Sequence, residues 1–248
     1  MPNLRKAQVE RAVIDRRHGR YSTITKIHTK SQNKKTGPMA QHYVMAQDLS
    51  PSELVKQKKD DLICGDCPLK GVECYVNVSQ LTGVWKATKD LPVIHSPRYD
   101  KALRLGTYGD PAFLPQYKVR EALNAGPGVW TGYTHRWHKA KPGYSRWLMA
   151  SIDHKSAARF GVSTLDLKQN ANALGYRTFR IILPGEKLDK NEVLCPYVTH
   201  GVQCADCGLC SGTEGRGKVD IANPLHGSPI GVRAYQKSLN LQTIEEAL

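Results

Sequence analysis

The stretch that most constrains this chain is CPYVTHGVQCADCGLCSG, Cys195 to Gly212. It holds four of the seven cysteines in a C-x8-C-x2-C-x2-C spacing. Two-residue spacers let neighbouring sulfurs converge on one centre, and the glycines let the backbone bend around it. The competing reading is a pair of disulfides. The chain opens without a hydrophobic signal stretch, which argues for a reducing, cytoplasmic compartment and against disulfides. Cys195, Cys204, Cys207 and Cys210 would close a tetrahedral zinc site, with His226 or His200 as substitute ligands. The C-x2-C-x2-C run, with Pro196 after Cys195, also fits a [4Fe-4S] ligand pattern. A second group, Cys64, Cys67 and Cys74, is one ligand short of a closed site, which His95, a solvent position or Cys195 would complete.

Charge narrows the class of partner. Lys and Arg number 36 against 22 Asp and Glu, a net +14 over 248 residues. Such an excess favours a polyanion, most simply nucleic acid, because neutralising phosphates releases counterions. No run of about 18 apolar residues is present, so no membrane helix is expected. Residues 1–40 read as a basic arm, with a helix over 4–17 and a loop over 29–38. Residues 41–230 read as the catalytic domain, including the knuckle at 195–212, and residues 231–248 as a tail ending in a short helix.

Within that domain one unit recurs: an apolar run, a polar tip, then a helical pattern. The strands are expected in His42–Ala46, Ala102–Pro111, Gly128–Trp137, Trp147–Phe160, Tyr176–Pro184 and Lys218–Gly227. Helices are expected at Gln116–Asn124, Ser156–Phe160 and Ser163–Leu174. Another follows Ser50, where Pro51 and Glu53 complete a capping box. This is an α/β pattern, barrel-like (βα), incomplete or decorated, and it carries the Cys-rich knuckle near its end. Dinucleotide, P-loop and serine-hydrolase signatures are absent from the sequence.

In parallel sheets chemistry gathers where strands end. Asp110, in Gly109-Asp110-Pro111, and Asp153, in Asp153-His154, stand at such ends and are the candidate catalytic pair. The alternative for each is a turn aspartate that caps backbone amides. The run Trp130–Trp147 interleaves aromatic and basic residues. Tyr133, His135, Arg136, Trp137, Lys139, Lys141 and Arg146 are therefore candidates for contacting an unpaired base and its phosphates, while Trp130 and Trp147 read as core.

Taken in order, RLGTYGDP, SIDH and the C-x8-C-x2-C-x2-C run resemble the guanine transglycosylases, and more narrowly their small viral relatives, the 7-deazaguanine DNA transglycosylases. The resemblance covers roughly Ala102 to His226. It implies exchange of guanine in DNA for a 7-deazaguanine base such as preQ0. One aspartate of Asp110 and Asp153 would attack the sugar and the other would handle protons, beside a structural zinc held by Cys195, Cys204, Cys207, Cys210 and His226. The cysteine spacing departs from the family's C-x-C-x2-C run, and Cys64, Cys67 and Cys74 have no counterpart there. Two rival classes remain: a radical-SAM-like phage protein with an iron–sulfur cluster, and a non-catalytic zinc-containing DNA-binding protein.

Overall fold

The structure is a computed structural model that describes residues 8–15, 19–26, 33–71, 73–90 and 98–239. His95 and the LQTIEEAL helix expected at the C-terminus lie outside the described residues.

Among the described residues nine strands form one sheet: β1 (Gln8–Asp15), β2 (Gly19–Lys26), β3 (Ala40–Ala46), β4 (Leu103–Tyr108), β5 (Trp130–Thr134), β6 (Met149–Ile152), β7 (Thr178–Ile182), β8 (Glu192–Leu194) and β9 (Asp220–Pro224). Their order is β1-β2-β3-β4-β5-β6-β7-β9-β8. β1, β2 and β3 pair antiparallel, while every pairing from β3 to β8 is parallel. The protein is therefore an α/β fold around seven parallel strands. Apart from the exchange of β8 and β9, each new strand joins the same edge.

The helix expected over 4–17 is corrected to a strand. Gln8–Asp15 pairs with Gly19–Lys26, so the basic N-terminal segment extends the sheet edge. An apolar spacing of four residues had favoured a helix, but long-range pairing overrides local propensity. The other expected elements form close to their expected bounds. Ser50 caps Pro51–Lys56 through a full capping box, Gln116–Asn124 is helical, and Ser163 with Asp166 forms a second box before Thr164–Ala173. Two further helices, Val78–Thr88 and Pro229–Ser238, carry weaker sequence signals.

Strand alternation sorts the side chains onto two faces. Leu103, Leu105, Trp130, Ala150 and Ile152 pack on the helix-covered face with Val119, Leu123, Ala157 and Leu167. On the other face Met149 and Ile221 meet Cys195 and Cys210, with Tyr133 and Phe179 alongside. The cysteine knuckle therefore lies on the opposite face of the sheet, where farther along Tyr43, Met45 and Tyr108 pack under the helices Pro51–Lys56 and Val78–Thr88. It is stitched there by Gly132 N donating to Cys210 O and by Cys204 N donating to Lys35 O, at 2.9 and 3.0 Å. Among the described residues no helix is long and apolar enough to cross a membrane.

The far edge is locked by charge. Arg180, 1% exposed, forks onto Glu192 with Nε–Oε1 at 2.8 Å and a second bond at 2.6 Å. A buried pair of this kind costs desolvation to form, but losing one partner leaves the other uncompensated. Glu192→Ala should therefore lower stability by about 3–5 kcal/mol in chemical denaturation. A loss well under about 1 kcal/mol would contradict a buried lock.

Candidate active site at the C-terminal strand edge

Three adjacent parallel strands, β4, β5 and β6, end side by side and deliver Asp110, His135 and Asp153. Asp110 is 7% exposed, and its carboxylate accepts three hydrogen bonds. Oδ1 accepts Ala112 N at 2.9 Å, while Oδ2 accepts Thr134 Oγ1 at 2.9 Å and His135 N at 3.0 Å. Its own N–H donates to Ile63 O at 2.7 Å, which ties the Cys64–Cys74 segment over the strand ends. The turn requires glycine before it: Gly109 has φ +72°, and a Cβ there would meet Val44 O at 2.6 Å. Burial pushes the Asp110 carboxyl above its ordinary range, against the pull of these donors.

Asp153, 1% exposed, caps the helix His154–Phe160. Oδ1 accepts Ser156 N at 2.9 Å and Oδ2 accepts Ser156 Oγ at 2.7 Å. The same Oδ2 lies 3.7 Å from His135 Nε2. His135 also hydrogen-bonds the Cys67 thiol. Burial alone would pull its pKa down, but Cys67, Asp153 and Asp110 outweigh that and raise it to about 10. The imidazole is thus held as a proton-loaded cation between a thiol and two carboxyl groups. Next to it, His154 pairs with Glu186 at 3.1 Å, and its backbone N–H donates to the Tyr235 hydroxyl oxygen at 3.0 Å. Glu186 borders an apolar cleft of about 320 Å³ between the ends of β7 and β9, lined by Ile182, Leu188, Leu194 and Leu225.

The structure separates the residues expected on a nucleic-acid surface. Trp137 is 5% exposed within the core, which corrects its expected role, since a buried indole has no free face for a base. Tyr133 packs against Phe179, centroids 4.8 Å apart, on the knuckle-bearing face. Arg136 stacks on Phe113 at 3.9 Å and, with His138, Lys139 and Arg159, surrounds Asp66. Lys141 is exposed, and Arg146 is exposed and pairs with Glu214 at 2.5 Å.

The cysteines fall into two neighbourhoods. Cys64 and Cys74 stand with Cys67 beneath the strand ends, near Asp60, and burial pushes both thiols up. Cys195, Cys204, Cys207 and Cys210 line one small pocket with Thr131 and Tyr197. Among the described residues, however, no three His, Cys, Asp or Glu side chains are arranged to hold a metal ion. His226, expected as a substitute ligand, has its Nδ1 2.6 Å from Asn223 Nδ2 and its Nε2 3.0 Å from Lys35 Nζ.

Sequence reasoning did not connect Cys67 with His135, or place Thr134 and Glu186 in the site. The one available signal was position, since Thr134 and Glu186 both follow apolar strand cores. Comparison with protein-family models, curated proteins and solved structures finds no match to this chain.

The raised His135 pKa gives a signed pH dependence. A group whose folded pKa exceeds its unfolded value of about 6.5 stabilises fully below that value. The contribution shrinks as pH rises above it and is gone past about 10. A His135→Gln variant should lose this slope between about pH 7 and 10, read by denaturation at several pH values. An unchanged slope would contradict the charged imidazole.

Proposed function

We propose that the protein exchanges guanine in DNA for a 7-deazaguanine base at this strand edge, in a barrel-like (βα) domain. The observation that carries the reading is the placement of His135, with Nε2 3.7 Å from Asp153 Oδ2 and its amide on Asp110 Oδ2 at 3.0 Å, in a chain of net charge +14. The Asp110 carboxylate already accepts three hydrogen bonds, so it positions the turn and the backbone of His135. Asp153 and His135 are left to act.

In the proposed reaction Asp153 swings off its Ser156 contacts and attacks C1′ of a flipped deoxyguanosine. The C1′–N9 bond breaks as the purine takes a proton from His135. The incoming deazapurine then attacks C1′ through its N9, its proton returns to His135, and the Asp153–sugar ester breaks. The protons balance over the cycle, and no metal enters a step.

A second reading rests on the contact between His135 and Cys67, with Cys64 and Cys74 beside it. Soft donors at a strand edge suit zinc or an iron–sulfur cluster. Iron and inorganic sulfide in protein purified without oxygen would favour that reading.

Nucleoside analysis of guanine-containing DNA, incubated with the protein and preQ0, should show the 7-deaza nucleoside. Asp153→Asn can still cap the helix but cannot attack, so it should stay folded and lose at least about a thousandfold in exchange. No exchange by folded wild-type protein would sink the proposal.

A further inference from the structure

Cations outnumber carboxylates at one point beside the candidate site. After β5 the chain turns at Arg136, whose carbonyl accepts both Lys139 N and Ala140 N at 2.8 Å. That turn gathers the side chains of Arg136, His138 and Lys139, and Arg159 joins them from the last turn of the helix that Asp153 caps. All four meet Asp66. Lys139 Nζ stands 2.7 Å from Oδ2, His138 Nε2 3.4 Å and Arg159 Nη1 3.5 Å, while Arg136 Nη1 is 4.0 Å from Oδ1. Arg159 Nη1 also donates to the Asp66 carbonyl at 3.1 Å. Gly65 lets this segment come so close, since a Cβ there would meet Arg136 Nη1 at 2.6 Å.

The charge balance is the reverse of that elsewhere in the molecule. Lys155 has Glu73, Arg146 has Glu214, and Lys168 has both Asp189 and Asp220. At Asp66 one carboxylate faces three permanent cations and a histidine, and among the described residues no second carboxylate lies within ion-pair reach of them. Like charges held this close repel one another until a further anion joins them. Asp66 fixes the four side chains in advance, so a ligand does not have to order them. Lys139 and Arg159 stay 51% and 52% exposed, and Arg159 spends only Nη1 on Asp66, which leaves Nη2 and Nε to donate. Beside them Phe160, 45% exposed, meets the His138 ring edge-on at 5.1 Å. The aromatic that faces solvent next to these cations is thus Phe160 and not the buried Trp137.

We propose that Arg136, Lys139 and Arg159, held around Asp66 beside the open ring of Phe160, form a docking point for single-stranded nucleic acid. A backbone phosphate supplies the missing anion, and an arginine fork suits its two free oxygens. A neighbouring unpaired base stacks on Phe160, which adds affinity without reading sequence. An acidic polypeptide would match the cations but leave the ring unused. Arg136 follows His135, and Arg159 lies on the helix capped by Asp153, so a strand held here passes the candidate centre. The surface shares no residue with that centre and stands whether or not base exchange is the reaction.

The test is fluorescence anisotropy of a labelled single-stranded oligonucleotide, titrated with the full chain at several salt concentrations and with no deazaguanine present. A failure of exchange therefore leaves the measurement intact. Saturable, salt-sensitive binding is expected. Arg159→Gln and Lys139→Gln, both at exposed positions, should each weaken it severalfold. The double variant should lower the slope of log affinity against log salt by about 0.7, the share of one phosphate on a single strand. Phe160→Ala removes no charge, so it should weaken single-strand binding by about fivefold to a hundredfold with the slope unchanged. No saturable binding by folded wild-type protein, or binding unchanged in the folded double variant or in folded Phe160→Ala, would overturn the proposal. So would displacement of the oligonucleotide by polyglutamate at equal charge, because the partner would then be an acidic polypeptide.

Discussion

The candidate site depends on one buried carboxylate. Asp110 joins the end of β4 to the backbone and hydroxyl at the end of β5, through 2.9 and 3.0 Å contacts. Through its own N–H it also holds the segment that carries the first cysteine group. A carboxylate buried this deeply is tolerable only when its oxygens are supplied with donors. The three it accepts come from a turn amide, a threonine and the amide of His135, so satisfying Asp110 also orients the imidazole toward Asp153. Structure and chemistry at this edge are therefore the same set of hydrogen bonds.

Much of the remaining organisation follows from where charge is matched. Asp66 collects Arg136, His138, Lys139 and Arg159 around one partly buried carboxylate, and burial working against these cations leaves its pKa lowered to about 2. Lys168 bridges Asp189 and Asp220, each at 2.9 Å, which ties the helix Thr164–Ala173 to β9. These acids absorb a good part of the basic excess locally. The long basic stretch around residue 140 is accordingly less of an open phosphate track than its composition implies.

The parallel strands were legible in the sequence because buried strands are apolar runs of the right length, bounded by glycine, proline and capping residues. RLGTYGDP and SIDH show their strand-end aspartates directly. β8, three residues long, is too short to show a period, and nothing local says that β9 inserts between β7 and β8. The site was legible only one strand at a time. Asp110 and Asp153 follow from position, but the meeting of Cys67 with His135, 68 residues on, is a tertiary event. Trp137 was misplaced because aromatic–basic alternation looks the same whether the rings face a ligand or a core.

The central claim is that Asp153 forms a covalent bond to a DNA sugar with His135 as the proton carrier. It is tested most directly by incubating the protein with a guanine-containing oligonucleotide, quenching under denaturing conditions and mapping any adduct by peptide mass spectrometry. The account predicts a sugar ester on Asp153 that is absent from Asp153→Asn and is released by added preQ0. An adduct on a cysteine, or none from a folded chain that binds the oligonucleotide, would contradict it.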